Sequence, residues 1–201
     1  MADTTTAPSA RRTELLELAY AYVRRNGLAD LSLRPLAAEI GSSPRVLLFL
    51  FGSKDGLVRA LLSRAREEEL GLLRDLRADT PPPSGLPAAG ERIWAWLSDP
   101  AHRTLLILWL EAYARSLVDP TGPWTEFAAT TVTDWLDVLA TAQPESERDT
   151  PDGLAHRTAV LAVLRGALID LLATGDRPRI TAAVHHLLHA RSPSPSRADQ
   201  L

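Results

Sequence analysis

The sequence predicts an all-α protein in which an N-terminal three-helix helix-turn-helix head precedes a longer helical body. Apolar residues recur at helical spacing along most of the 201 residues, whereas no segment has a convincing strand pattern. Proline, glycine and serine mark the breaks between the predicted helices. Near the N-terminus, two short helical segments flank a tight turn at Gly41-Ser42, which is the helix-turn-helix pattern.

The first helix is predicted from about Arg11 to Arg25. Its apolar residues share one face at i, i+3, i+4, i+7 and i+8: Leu15, Leu18, Ala19, Tyr22 and Val23. Asn26-Gly27 then forms a left-handed stop signal. We expect Ser32 to cap the second helix, which tolerates Pro35 in its first turn.

The third helix is predicted over the run of six apolar residues from Val46 to Phe51. Such a run fits either a buried strand or a short helix. Ser43 as N-cap, Pro44 at the first helical position and Gly52 as a stop favour a two-turn helix. In a helix-turn-helix pair, this helix enters the DNA major groove and presents its N-terminal residues to base edges.

A fourth, long helix is predicted from Lys54, capped by Ser53, to about Arg77. Residues 79–89 have the composition of a proline-rich linker. Further helices are predicted over residues 90–97, 100–117, 123–142, 152–174 and 177–190. The predicted organisation is a disordered tail (1–8), a helix-turn-helix domain (9–53), a helical body (54–190) and a second disordered tail (191–201).

Composition excludes several classes of protein. The chain has no cysteine, which excludes disulfides, a thiol nucleophile and cysteine metal sites. The N-terminus lacks the apolar core of a secretory signal, and no apolar run is long enough to span a bilayer. Residues 1–64 carry nine basic and six acidic side chains on a chain of net charge -3, which fits a polyanion-binding head. We expect a soluble cytoplasmic protein.

A gap-free set of residues over about 12–60 carries a resemblance to a known family. It comprises Asn26-Gly27, Leu31-Ser32-Leu33-Arg34, Leu36-Ala37, Ile40-Gly41-Ser42-Ser43, Leu47, Phe51, Gly52-Ser53-Lys54 and Leu57. In these residues the chain resembles the tetracycline-repressor (TetR) family of bacterial transcriptional regulators. Residues 164–184, LRGALIDLLATGDRPRITAAV, also look like the C-terminal dimerisation pair of that family.

The resemblance implies a homodimer that represses transcription by binding a palindromic operator. It assigns ligand binding and dimerisation to residues 54–190, with the last two helices of each subunit packing as a four-helix bundle. The fourth helix would then link the ligand pocket to the DNA-binding head. A small-molecule effector in the pocket would move this helix and release double-stranded DNA.

The DNA-contacting residues are predicted from residue chemistry and from the resemblance. Arginine can bond both O6 and N7 of guanine, so Arg45 is the best base reader, although it also fits a merely exposed arginine. Lys54 opposes the helix dipole at a helix start, which favours a phosphate contact, as the family has there. Arg34 fits a DNA contact or a salt bridge. The full set is Ser32, Arg34, Ser43, Pro44, Arg45, Val46, Phe49 and Lys54.

The third helix departs from the family pattern because its residues are apolar where family members carry threonine, tyrosine or histidine. These apolar residues are Val46, Leu48, Phe49 and Leu50. We expect Leu47, Leu50 and Phe51 to face the core, and the other apolar side chains to face outward. The outward residues then either contact thymine methyl groups or form a surface for another protein.

The candidate ligand pocket lies in the C-terminal part, which contains all five tryptophans. The carboxylate of Glu111 lies within a helix that is apolar nearly all round. It needs a partner, either an arginine (Arg115 or Arg165) or a ligand. Aromatic residues at helical spacing fit a core as well as a pocket, and the predicted ligand is apolar or aromatic. The candidate residues are Trp109, Glu111, Tyr113, Trp124, Phe127, Thr131, Trp135 and Arg165.

Other chemistry is not indicated. His185 and His189 are four residues apart and could share a metal, but no third ligand is evident, so we predict no metal, no cofactor and a place on the dimer surface. No phosphate-binding glycine loop or hydrolase signature is present, and Glu111 has no partner constellation, so we predict that the chain is not an enzyme. The rival to a DNA-binding regulator is a protein-interaction or small-molecule sensor module of the same fold.

Overall fold

The computed structural model describes residues 10–28, 31–78, 85–119 and 121–190. Within these residues the chain is helical and has no β-strand. The helices are α1 (Ala10–Asn26), α2 (Leu33–Glu39), α3 (Pro44–Phe51), α4 (Lys54–Ala78), α5 (Gly85–Leu97), α6 (Arg103–Val118), α7 (Phe127–Thr141), α8 (Glu145–Arg148), α9 (Pro151–Thr174) and α10 (Arg177–Leu188). A single 3₁₀ turn, Pro100–His102, precedes α6. None of the described helices has the length and apolar character needed to span a bilayer.

The all-α prediction is confirmed, and the first four helices begin and end within about a residue of their predicted bounds. The linker prediction is wrong at its C-terminal end because α5 already begins at Gly85, whereas residues 79–84 lie outside the described residues. Pro87 falls in the first turn of α5, where a missing N–H is harmless. The predicted tails, 1–8 and 191–201, also lie outside the described residues.

Two further boundaries differ from the prediction. Helix α7 begins at Phe127 rather than at residue 123, and the short helix α8 was not predicted. Helix α8 is tied to α9 because the Arg157 guanidinium donates to the Arg148 carbonyl at 2.7 Å. A four-residue helix of this kind depends on such tertiary bonds. It is also too short to show a periodic pattern of apolar residues, so the sequence does not predict it.

Local capping explains why several helices begin where they do. The Ser43 hydroxyl accepts from the Val46 N–H at 3.3 Å, and the Ser53 hydroxyl accepts from the Gly56 N–H at 2.9 Å. The predicted caps of α3 and α4 are therefore confirmed. Ser32 stands at the N-cap position of α2 in extended conformation, but its side chain makes no capping bond. That part of the prediction is wrong, and the Ser32 hydroxyl is not used for capping.

The chain divides into two compact units. The first contains the described residues up to Ala78 together with Ala101–Asp134. In it, α1 packs on α2, α4 and α6, while α3 packs on α2 and α4. The side chains that close this core are fully buried leucines from each of the first four helices: Leu15, Leu36, Leu47, Leu57 and Leu61.

A polar network joins α1 to α4 within the first unit. The Tyr20 hydroxyl donates to the Glu68 carboxylate at 2.9 Å, and Arg24 lies 3.4 Å from the same carboxylate. Arg64 adds a 2.7 Å ion pair with Glu17. Burial, followed by the hydrogen bond to Glu68, raises the pKa of Tyr20. The ion-paired hydrogen bond to Glu17 raises the pKa of Arg64. These bonds fix α1 at one position along α4.

The second unit contains α5 and the described residues from Trp135 to Ala190. Here α5, α9 and α10 pack on one another. Helices α5 and α10 approach closely at Gly90, where an added Cβ would lie 2.8 Å from a Leu188 methyl carbon. One turn further along α5, the Trp94 indole N–H donates to the Thr181 hydroxyl at 3.0 Å. The relative register of these two helices is therefore fixed by packing and by a hydrogen bond.

Adjacent leucines of α3 provide a test of this core. Leu47→Ala should destabilise the fold by about 2–5 kcal/mol because Leu47 is fully buried. Leu48→Ala should change stability by less than about 1 kcal/mol because the Leu48 side chain is 41% exposed. Chemical unfolding followed by circular dichroism measures both. Equal losses in the two variants would contradict the orientation of α3.

Candidate functional site

The third helix, α3, has one buried face and one exposed face. Leu47 and Phe51 are buried and Leu50 is half-buried, as the pattern predicted. The outward arc is formed by side chains that lie within about half a turn of one another: Arg45, Val46, Leu48 and Phe49. Phe49 is 85% exposed, the highest value among the large apolar side chains of the described residues. The apolar run is thus part core and part open surface.

Arg12 of α1 holds the C-terminal end of α3, a role that the sequence did not predict. Its Nε donates to the Leu50 carbonyl at 3.4 Å, and its guanidinium carbon lies 4.9 Å from the centroid of the Phe51 ring. A guanidinium over an aromatic face is attracted by the ring's negative electrostatic potential. Arg12 therefore helps to fix the orientation of α3 through contacts with Leu50 and Phe51, away from its exposed face.

Each of the helices α2, α3 and α4 carries an exposed basic side chain in its first two turns. Arg34 of α2, Arg45 of α3 and Lys54 of α4 are all exposed. Among the described residues, which do not include Asp30, none of the three has an ion-pair partner. Ser43 and Pro44, at the start of α3, and Ser32, before α2, complete the set of predicted DNA contacts at helix N-termini. Backbone N–H groups at such positions favour anions.

Glu111 joins the body helix α6 to the loop that follows α1. Its carboxylate accepts a hydrogen bond of 2.7 Å from the Leu28 backbone N–H. The sequence predicted Arg115, Arg165 or a ligand as the partner and did not identify this bond. Gly27 is needed beside it, since its φ is +83° and an added Cβ would lie 3.3 Å from the carboxylate oxygen. The head and α6 are therefore joined by a charged hydrogen bond.

The aromatic residues of the candidate pocket are mostly buried. Trp109, Trp124 and Phe127 are each 8% exposed and belong to the first unit. The Thr131 hydroxyl is buried and has no hydrogen-bond partner among the described residues. Tyr113 is half-buried in the first unit, while Trp135 and Arg165 belong to the second. These eight ligand-binding assignments, Glu111 included, stay predictions.

A cleft of about 260 Å³ opens in the first unit between α4 and the segment before α7. Its lining includes Arg59 and Arg66 from α4, with Phe127 and Thr130 from α7. The Arg66 guanidinium is held by Asp134 at 2.7 Å. Of the predicted pocket residues only Phe127 lines this cleft. The sequence did not predict Arg59 and Arg66 as cleft residues, because basic residues on a long amphipathic helix usually belong to its solvent-exposed face.

Helix α9 of the second unit presents a continuous exposed stripe with mostly small side chains. Its members recur at alternating spacings of four and three residues, which is the seven-residue pattern of helix–helix seams: Ala155, Ala159, Ala162, Gly166, Ile169 and Ala173. Ile169 is 52% exposed, and nothing lies within 4 Å of a Cβ added at Gly166. Another helix can therefore approach this stripe closely.

Solved structures of known proteins share this fold. The chain is similar to the multidrug binding protein EbrR complexed with imidazole, at 25% identity and a TM-score of 0.67 over 94% of this chain and 93% of that one. It is also similar to a TetR transcriptional regulator from Legionella pneumophila, at 16% identity and a TM-score of 0.69 over 92% and 97% of the two chains. A TetR transcription regulator from Haloarcula marismortui gives 16% identity and a TM-score of 0.68 over 90% and 95%.

The sequence matches no family profile and no curated protein. The structural similarities nevertheless extend over most of the chain, so the resemblance to the TetR family is confirmed at the level of the fold. The similar structures are transcriptional regulators and a drug-binding protein, which agrees with the prediction that the chain is not an enzyme.

The Glu111 bond can be tested by its effect on the Leu28 amide. Glu111→Ala should destabilise the first unit by about 1–3 kcal/mol and speed hydrogen exchange at Leu28, because the buried N–H loses its charged acceptor. Glu111→Gln keeps a carbonyl acceptor and should lose less protection. Hydrogen exchange followed by nuclear magnetic resonance or mass spectrometry measures the protection of Leu28 in both variants. Unchanged protection of Leu28 in Glu111→Ala would show that the bond is not made in solution.

Proposed function

We propose that this protein is a TetR-like transcriptional repressor that binds a palindromic operator as a homodimer and is released by a small-molecule effector. The observation that carries the proposal is the two-faced helix α3. Its inner face is fixed in the core by Leu47 and Phe51, while Arg45 and its neighbours stand exposed at the N-terminal end. In this arrangement α3 can enter the DNA major groove as a recognition helix. The fold is also one that transcriptional regulators use.

In the proposed complex, contacts to bases and to phosphates come from different positions. Arg45 bonds guanine in the major groove, and Val46 and Phe49 contact thymine methyl groups. Lys54 and Arg34 neutralise phosphates, helped by N–H groups at the helix starts near Ser32, Ser43 and Pro44. A recognition helix with so few polar side chains should therefore prefer half-sites in which guanine and thymine lie close together.

The exposed stripe on α9 is the proposed centre of the dimer. Its small side chains permit close approach, and Ile169 of each subunit would be covered there. A two-fold axis through this contact relates the two heads, so the operator would be palindromic, with half-sites set by their separation.

The proposed effector acts through the links between the body helices and the head in the first unit. Glu111 joins α6 to the loop after α1, and Glu68 of α4 bonds Tyr20 and Arg24 of α1. An effector that shifts α4 or α6 would break or realign these bonds. EbrR structures contain imidazole, proflavin and ethidium. Planar aromatic compounds of that kind are the first effectors to test, with an expected coupling of about 1–3 kcal/mol.

DNA binding is tested first by selecting sites from a random duplex pool with the purified protein. A palindrome should be recovered, and its affinity should fall steeply with salt. Arg45→Ala should cost about 1–3 kcal/mol and relax specificity at one guanine position, whereas Lys54→Ala should weaken all sites and lower the salt slope by about one. Arg74→Ala, an exposed arginine further along α4, is the matched control and should bind as the wild type does.

A specific observation supports the alternative, a protein-interaction module of the same fold. Phe49 is 85% exposed in a patch with Leu48 and Val46, and exposed apolar patches often mark protein contacts. If the random pool never enriches at any salt concentration, the repressor proposal fails and this alternative replaces it.

The role of Phe49 on DNA can be separated from its role in the fold. Phe49→Ala should lower affinity for the selected operator by about 1 kcal/mol, mainly at sites that keep the contacted thymine, because one apolar contact is lost. Replacing that thymine by uracil, which lacks the methyl group, should weaken the wild type and leave Phe49→Ala unaffected. Leu187→Ala, at a side chain 54% exposed outside the head, is the control. Equal binding by wild type and Phe49→Ala would remove Phe49 from the DNA interface.

A further inference from the structure

Two histidines of α10 and a glutamate of α5 meet on the surface of the second unit. The His189 Nε2 lies 2.8 Å from the Glu91 Oε1, and the His185 Nε2 lies 3.5 Å from the same oxygen. One donor atom from each of the three side chains falls within 4.8 Å of the others. From this geometry we infer a binding site for a divalent transition-metal ion such as Zn²⁺, held by Glu91, His185 and His189.

The spacing of the donor atoms fits the ion. Ligand atoms bonded to tetrahedral zinc at about 2.0–2.1 Å are separated from one another by about 3.3 Å. The two nitrogen–oxygen distances here, 2.8 and 3.5 Å, lie on either side of that value. Two imidazoles and one carboxylate are also the ligand set of known three-ligand zinc sites, in which water takes the fourth position. The exposure of all three side chains leaves that position open to water.

A metal ion is an alternative to hydrogen bonding for these three side chains. The imidazole rings are neighbours, with centroids 4.5 Å apart, and both turn a nitrogen toward one carboxylate oxygen. A bound cation accepts lone pairs from two neutral imidazoles and from the carboxylate together.

The helix packing holds the three ligands in place before any ion binds. Gly90 brings α5 against Leu188, and the Trp94–Thr181 hydrogen bond fixes the same pair of helices one turn away. Glu91 follows Gly90 directly, so its backbone is held beside α10. A rigid pair of helices is a suitable frame for a metal site.

The sequence prediction of no metal site rested on the absence of a third ligand near the histidines. Glu91 supplies it from 98 residues away in sequence. The two histidines contact Glu91 of α5 in the same chain. Their place on a dimer surface stays a prediction. All three ligands come from one chain and none lies in the DNA-binding head, so the site can be tested without the proposed dimer or DNA binding.

The test uses the full-length protein freed of metal with a chelator and titrated with Zn²⁺ against a chromophoric competitor. We expect one ion per chain and an increase in thermal stability. His185→Ala and His189→Ala should each lower zinc affinity by about tenfold or more. His186→Ala is the matched control, since it removes an exposed histidine next to His185 that is not part of the cluster.

Titration with Co²⁺ and Ca²⁺ adds a second readout. Co²⁺ should give visible absorption bands that are lost in His189→Ala, while Ca²⁺ should not bind, because it prefers oxygen ligands. The inference is overturned if the wild type shows no saturable zinc binding up to about 100 μM. It is equally overturned if both histidine variants bind zinc as tightly as the wild type.

Discussion

The position of the eight-residue helix α3 depends on the burial of one side of it. An eight-residue helix is too short to be stable alone, so it forms because Leu47 and Phe51 enter the core of the head. Ser43 starts the helix at a defined residue, and Arg12 fixes its other end through Leu50 and the Phe51 ring. Once these residues are fixed, the direction of every exposed side chain follows from helical geometry. The DNA-reading proposal rests on that constraint.

The same constraint explains the unusual outer surface. A helix with apolar residues on all sides buries about half of them when only one face meets the core. Leu48 and Phe49 are therefore left exposed and form an apolar patch with Val46. Exposed apolar patches often mark contacts with a partner. The exposed basic groups of the same three helices, Arg34, Arg45 and Lys54, match a polyanion better than they match an apolar protein surface.

Local signals predicted much of the fold, and non-local contacts account for the misses. Caps, stops and periodicity placed α1 to α4 because each of those signals acts within a few residues. The predicted linker is too long at its C-terminal end because Pro87 resembles a helix break in the sequence, although proline in a first turn is compatible with a helix. Glu111 and Leu28 are 83 residues apart, so no spacing rule pairs them. Arg12 and Glu91 were missed for the same reason, since their partners come from other helices.

The bonds between α1 and its neighbours bear on how a signal could cross the first unit. Partly exposed ion pairs such as Arg24–Glu68 contribute between zero and about 1 kcal/mol each, whereas a carboxylate on a backbone N–H contributes about 1.5–3 kcal/mol. Breaking one or two of them costs about as much free energy as an effector typically transmits, about 1–3 kcal/mol. Leucine packing would be a poor switch by comparison. Moving the buried side chain of Leu15 or Leu57 out of the core would cost more free energy than the roughly 1–3 kcal/mol that an effector transmits. In the proposed switch, an effector would therefore reposition the head by exchanging directional polar bonds, while the apolar core stays intact.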